Sequence, residues 1–312
     1  MRRNKKGILL ALGILFVLSV VPHIASNYIT YVVVLAMLYA MLTASYDLMV
    51  GYTGPLQFCP AAFYGMGAYA SALLTLKGGL SFWLAFPLSG IIVLILAAIV
   101  GYPALKLRGH YFAVTTFFFG YFVYLFILNS RGLTNGPLGL SGIRPPDPIL
   151  GIDFTSMTAN YYLILIFGVL MVTFLYVLVH SNVGRILISI RENEDLAESI
   201  GINTSFYKVL AFSISAALGG LTGSLFAHFF RLLHPSTFSW MTSEMIVIMT
   251  LVGGAGTLFG PIIGAGLVTL ILEFMRFAPE LRFIIWSAML IIILIIEPKG
   301  LMGILRRIRG RA

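Results

Sequence analysis

Residues 184–208 read GRILISIRENEDLAESIGINTSFYK, and the polarity of this stretch decides how the rest of the chain is arranged. Arg191, Glu192, Glu194, Asp195 and Glu198 fall within eight positions, a charge density that a lipid core does not admit, so the stretch lies in water. It also has the grammar of a short helix. Asn193 is a good N-cap, Glu194 and Asp195 sit in the first turn where the helix dipole favours carboxylates, and Gly201 can close the C-terminus. Leu196 and Ile200 are four apart and share a face with Ala197. The spacing predicts a small capped helix with an apolar ridge, set between two membrane spans. Such a helix is either a contact surface for a partner in the cytoplasm or an ordinary solvated loop helix.

Outward from this stretch the chain is overwhelmingly apolar. Of its 312 residues 59% are hydrophobic and only 10% charged, with a mean hydropathy of +0.99. A soluble domain carries about a quarter charged residues, so this composition specifies an all-α polytopic membrane protein. The apolar runs are continuous and near span length rather than alternating, which excludes an outer-membrane barrel. The net charge of +9 reads as topology rather than nucleic-acid affinity. A single cysteine, Cys59, excludes an internal disulfide and a multi-cysteine metal site. The N-terminal MRRNKKGILLALGILFVLSVV has the outline of a secretory signal but no clear small-residue cleavage site, and a second apolar run follows at once. It reads as a retained first span.

Ten spans of roughly 17–25 residues can be drawn within one transmembrane domain over 1–312. They lie at about 7–25, 28–50, 60–77, 82–104, 110–130, 160–180, 206–230, 243–259, 261–279 and 282–298. The glycine-rich segment 51–80 is a candidate broken helix. With the N-terminus inside, the alternation places 14 of the 20 Lys and Arg on the cytoplasmic side: Arg2, Arg3, Lys5, Lys6, Lys106, Arg108, Arg185, Arg191, Lys208, Lys299, Arg306, Arg307, Arg309 and Arg311. This bias puts both termini in the cytoplasm. An eight-span drawing has the same orientation. Two long loops remain, the cytoplasmic 184–208 and an external 131–160. The external loop contains Arg144-Pro145-Pro146-Asp147-Pro148, whose prolines stiffen it. It either meets an extracytoplasmic partner or merely links spans.

Ser215, Gly219, Gly223 and Ala227 repeat every four residues, as do Gly256, Gly260 and Gly264, giving small faces on which helix backbones approach closely. Gly51-Tyr52-Thr53-Gly54-Pro55 faintly resembles Gly253-Gly254-Ala255-Gly256-Thr257, a trace of the inverted repeats and interrupted helices that line substrate paths in transporters. The candidate pathway and hinge positions are Gly51, Gly54, Gln57, Gly65, Gly67, Gly256 and Gly260. The aromatic-rich stretch from Tyr111 to Phe126 lines either lipid or the pathway.

Motifs for bond chemistry are missing. No phosphate-binding G-x-x-x-x-G-K-[ST] occurs, so the chain does not hydrolyse ATP by itself. His23, His110, His180, His228 and His234 are scattered, mostly at span ends, and read as interfacial or structural. Neither an H-E-x-x-H motif nor a Ser/His/Asp set is visible, and no catalytic residue, cofactor or metal is expected in this chain. Asp47, Glu244, Glu273 and Glu297 lie near span ends, and only Asp47 is placed to reach inward. A proton-coupled carrier buries more charge than this. A passive pathway powered from outside the chain follows.

Five segments carry a resemblance to a known family: GYTGPLQFCPAAFYGMGAY (51–69), LRGHYFAVTTFFFG (107–120), LTNGPLGLSGI (133–143), GRILISIRENEDLAESIGIN (184–203) and GGAGTLFGPIIGA (253–265), with EPKGLMG (297–303) closing the chain. Together, in this order, they resemble the LivM-type permease subunits of branched-chain amino acid ABC transporters. The resemblance implies an ABC importer permease fold in the inner membrane. It implies pairing with a second, LivH-type permease, two cytoplasmic ATPase subunits that hold ATP and Mg, and an extracytoplasmic solute-binding protein. It makes the 191–202 helix the coupling helix, with Leu196, Ala197 and Ile200 in a groove of the ATPase and Arg191, Glu192 and Glu194 as its charged rim. Asn193 and Gly201 delimit it. The chain departs from the family at Gln57, Cys59 and Pro60, where serine, glycine and histidine are usual, and at Tyr121, where an acid or amide is frequent. Leucine, isoleucine and valine are the first expectation for the solute. Urea, short amides, other amino acids or a sugar are the alternatives within the fold, and a stand-alone secondary carrier is the alternative outside it.

Overall fold

Serine and asparagine side chains start the helices. Ser26, Ser156, Ser181, Asn193 and Asn203 each accept a hydrogen bond from a backbone amide in the first turn that follows, which satisfies a donor the helix cannot satisfy itself. In the computed structural model, which describes residues 13, 15–149, 151–275, 288, 291 and 300–303, the helices are α1 (Leu15–Ile24), α2 (Asn27–Val50), α3 (Pro60–Leu76), α4 (Phe82–Ala104), α5 (His110–Asn129), α6 (Arg131–Thr134), α7 (Met157–His180), α8 (Asn182–Glu192), α9 (Glu194–Ser199), α10 (Thr204–Phe230), α11 (Trp240–Gly253) and α12 (Gly260–Phe274). The span drawn at 282–298 lies outside the described residues except for 288 and 291. So do Glu297, Arg276, Arg282, Lys299 and the basic residues at both termini.

Five helices, α2, α4, α5, α7 and α10, are long and apolar enough to cross a membrane by length and composition. α1, α11 and α12 are apolar but shorter, and α3 has 17 residues. Among the described residues, the spans drawn at 7–25, 60–77, 243–259 and 261–279 thus meet helices of 17 residues or fewer. Residues 51–59 leave the helical conformation and α3 starts at Pro60, as drawn, whereas the glycine-rich 253–260 connection ends α11 at Gly253, short of the drawn 259.

α10 is the axis of the bundle: 72% of its apolar window is buried, against 22% for α5. Apolar burial does not by itself hold helices together in lipid, so close backbone approach matters here. A Cβ on Gly223 would overlap the Tyr64 carbonyl oxygen, and a Cβ on Gly67 would overlap the Gly220 backbone, which fixes α3 against α10. On the same stripe Gly219 has only ordinary contacts, 3.9 Å to the Leu42 side chain. Gly65 faces the Phe238 ring. Gly65 and Gly67, candidate pathway positions by sequence, therefore sit in packing contacts of α3.

The loop at 131–160 folds back onto the helix ends. Strand β1 (Leu140–Ser141) pairs antiparallel with β2 (Leu232–Leu233), matching Leu140 with Leu233 and Ser141 with Leu232. Buried His228 on α10 bridges the loop to the bundle: Nδ1 lies 2.7 Å from the Arg144 carbonyl and Nε2 3.0 Å from Ser71 Oγ. Asp147 accepts from the Phe82 amide at 3.0 Å and so caps α4. The stripe on α10 gives a paired test. Gly223→Val should destabilise the purified chain in mild detergent by about 1–3 kcal/mol or more, whereas Gly219→Ala should stay within about 0.5 kcal/mol. Equal thermal shifts for the two variants would mean that α3 does not pack on this stripe.

Candidate functional site

The 184–208 stretch forms two helices and an elbow. Gly184, Leu187 and Ile190 recur every third residue and are the buried positions of α8, which therefore lies against the bundle. The elbow is Asn193, extended at φ −161° and ψ 105°, whose Oδ1 accepts from the Leu196 amide at 3.0 Å. It caps α9, and Glu194 and Asp195 occupy the first turn as the spacing requires. Gly201 follows with φ +89°, a left-handed conformation that glycine adopts without strain.

The apolar ridge is not the one the sequence suggests. Ala197 is 2% exposed, while Leu196 and Ile200 are 62% and 71% exposed. Glu194, Ala197 and Glu198 are three and four residues apart and form the face turned to α10, leaving Leu196 and Ile200 on the opposite side. Polar anchors decide the orientation. Lys208 Nζ pairs with Glu194 Oε1, with side chains 6% and 28% exposed. Thr204 Oγ1 donates to Glu198 Oε1 at 2.5 Å and lies 3.4 Å from Glu194 Oε1. Glu194 is thus an anchor rather than part of an outer rim. Glu192 stays exposed. The Arg108–Asp195 pair, 3.4 Å apart and well exposed, adds little.

Arg191 also turns inward. Its Nη1 donates to the Gly51 carbonyl, its stem faces Gly54, and a Cβ on Gly256 would overlap its guanidinium. Gly256, at φ +74°, donates its amide to Asp47 Oδ1 at 2.8 Å, and a Cβ on Gly51 would overlap that same carboxylate. The other oxygen, Asp47 Oδ2, is buried with no hydrogen-bond partner. The structure thus brings Gly51, Gly54 and Gly256 together with Arg191 and Asp47. Gly260 stands one turn away, its carbonyl against Gly253. Gln57 lies apart, held by Tyr46 Oη on its carbonyl at 2.7 Å and by Cys59 Sγ, 3.3 Å from its side-chain oxygen. With Ser45, Phe63 and Ser215 it lines a small cleft between α2, α3 and α10. Sequence reasoning missed α8, the Lys208 anchor and the inward turn of Arg191. Only α8 left a signal, a serine cap at 181 followed by apolar residues at helical spacing.

The cluster joins two non-helical turns to a segment whose next helix carries an exposed apolar pair. Residues 28–294 match the family described as branched-chain amino acid transport system, permease component. The chain is 30% identical over 308 residues to the high-affinity branched-chain amino acid transport permease LivM of Salmonella typhimurium, covering 91% of this chain and 72% of that one. Identity to the LivM of Escherichia coli is 31% over 316 residues, covering 94% and 74%. The LivH permease of Escherichia coli is 24% identical over 293 residues, covering 87% and 93%. No solved structure matches the chain.

The anchoring of α9 is testable without any partner. Lys208→Met leaves Glu194 half-buried and unpaired, at a cost of about 1–3 kcal/mol. Amide exchange over residues 194–200 should then accelerate roughly tenfold while α3 and α10 stay protected. Unchanged exchange would show that α9 is not held by this pair.

Proposed function

This chain belongs to the branched-chain amino acid transport permease family, and from that premise we propose that it is the LivM-type membrane subunit of an ATP-driven importer of leucine, isoleucine and valine. The observation that carries the reading is the extent of the likeness, which takes in more than nine-tenths of the chain rather than one motif. The likeness to LivM and LivH permeases alike supports a paired permease system in which a LivH-type subunit faces this one. In the proposed arrangement the single domain 1–312 crosses the inner membrane ten times with both termini in the cytoplasm, the 184–208 segment on the cytoplasmic side and the 131–160 loop outside. Two ATPase subunits hold ATP and Mg, and a solute-binding protein delivers the amino acid to the outer face.

α9 is the contact to the ATPase in this reading. What supports it is the exposure of Leu196 and Ile200 on a capped, polar helix, where two large apolar side chains face water. Closure of the ATPase pair moves α9, and Lys208 and Thr204 pass that motion to α10, the axis of the bundle. The permease then alternates between outward and inward openings. The faint kinship of the 51–55 and 253–257 turns fits an inverted repeat whose interrupted helices flank the path.

Proteoliposomes decide the matter. The assembly with enclosed ATP should accumulate labelled leucine, excess isoleucine or valine should compete, and ribose or urea should not. Leu196→Asp with Ile200→Asp, both at exposed positions, should cut uptake more than tenfold while the chain remains in the membrane. Normal uptake by that double variant removes α9 as the ATPase contact. Flux through this chain without any ATPase would replace the importer with a stand-alone carrier.

A further inference from the structure

Four groups far apart in sequence meet at the α8–α9 end of the bundle. Asp47 lies in the last turn of α2, Gly51 opens the turn after it, Gly256 belongs to the α11–α12 connection, and Arg191 is the penultimate residue of α8. The Gly256 amide holds Asp47 Oδ1 at 2.8 Å, and the Arg191 guanidinium holds the Gly51 carbonyl. Among the described residues no ion pair joins Arg191 to Asp47. A buried carboxylate oxygen without a partner carries the full cost of its lost hydration. The closed turns are therefore held against a cost that water would relieve.

Beside the Gly256–Asp47 hydrogen bond, one side chain ties the Gly51 turn to α8, and its backbone belongs to the segment that leads into α9. The seat for that side chain is built of glycine: Gly54 faces the stem, and any side chain at Gly256 would occupy the guanidinium's place. Arginine suits the seat because its planar head offers several donors in fixed directions.

We propose that Arg191 is a positioning residue that carries motion of the α8–α9 segment to the inner mouth of the pathway. Seated, it clips the Gly51 and Gly256 turns over Asp47. When α8 withdraws, the guanidinium leaves the Gly51 carbonyl, the two turns part, and water reaches Asp47. The inference rests on the reading of the chain as an ATP-driven permease and adds to it the link between the driven helix and the gate.

The test compares wild type, Arg191→Ala and Arg191→Ala/Asp47→Asn in the full reconstituted assembly, with two readouts: deuterium exchange at amides 253–257 and labelled leucine moved per ATP hydrolysed. Arg191→Ala should speed exchange at Gly256 at least fivefold and lower leucine per ATP at least tenfold. Adding Asp47→Asn removes the buried charge while keeping an oxygen for the Gly256 amide. Exchange should then return to within twofold of wild type while leucine per ATP stays at least tenfold low, because the turns are shut but no longer driven. Wild-type exchange in Arg191→Ala overturns the clip. Recovery of both readouts together in the double variant overturns the transmitting role and leaves a merely structural one. A wild-type assembly that moves no leucine with ATP strikes the transport reading instead, and the exchange comparison still decides the clip.

Discussion

Between Val50 and Pro60, and again between Gly253 and Gly260, the chain leaves the helical conformation inside an apolar bundle. Backbone amides and carbonyls freed in such a place have no water to turn to and must find partners in the protein. They find them on other helices. Tyr46 on α2 donates to the Gln57 carbonyl, Thr116 on α5 accepts from the Phe58 amide, and Ser243 on α11 accepts from Ala61 at the start of α3. Asp47 on α2 takes the Gly256 amide, and Arg191 on α8 takes the Gly51 carbonyl. The breaks are thus the points at which α2, α3, α5, α8 and α11 become mechanically dependent on one another. A continuous helix satisfies its own backbone and makes no such demand on its neighbours.

This dependence gives displacement at one end of the bundle a route to the other elements. α9 is tied to α10 through Lys208, Thr204 and the inward Ala197, and α8 is tied to the two turns through Arg191. Motion of the α8–α9 pair therefore has two outlets, one to the central helix and one to the interrupted helices. α10 in turn touches α3 through backbone-to-backbone contacts at Gly223 and Gly67, which transmit displacement because they leave nothing to compress.

Some of this was legible in the sequence. The polar 184–208 stretch, the Asn193 cap, the acidic first turn and Gly201 all follow from local rules, because a cap needs only the residues beside it. The α10 stripe was legible as a close-packing face for the same reason, although period four does not say which member meets backbone: Gly223 does and Gly219 does not. Ala197 was assigned to the wrong face. Apolar spacing groups it with Leu196 and Ile200, but the orientation of α9 is set by Glu194 and Glu198 meeting Lys208 and Thr204, which are ten or more residues away for Glu194 and six for Glu198 to Thr204. Arg191 looked like a rim charge because a solvated loop is where an arginine usually points outward. Its partner, Gly51, is 140 residues away and offers a carbonyl, a group every residue has and no motif marks.

The two ends of the bundle are held by different kinds of contact, and the difference bears on which of them can move. At the end bearing the 131–160 loop, closure is distributed. The β1–β2 pair, the His228 bridge to Arg144 and Ser71, the Ser224–Ser71 contact at 2.7 Å and the Asp147 cap on α4 all join the loop or its neighbours to the bundle, and Ser71, Ser224 and His228 are buried. Loosening that end requires several buried polar groups to lose partners together. At the α8–α9 end, closure of the turns runs through two contacts, the Gly256 amide on Asp47 and one guanidinium on a residue that remains open to water, over a carboxylate already short of a partner. A guanidinium that leaves this seat is rehydrated at once, and so is the carboxylate beneath it. The same conformation therefore combines one end held by many buried contacts with another held by few. That asymmetry fits the proposed drive from the α9 side.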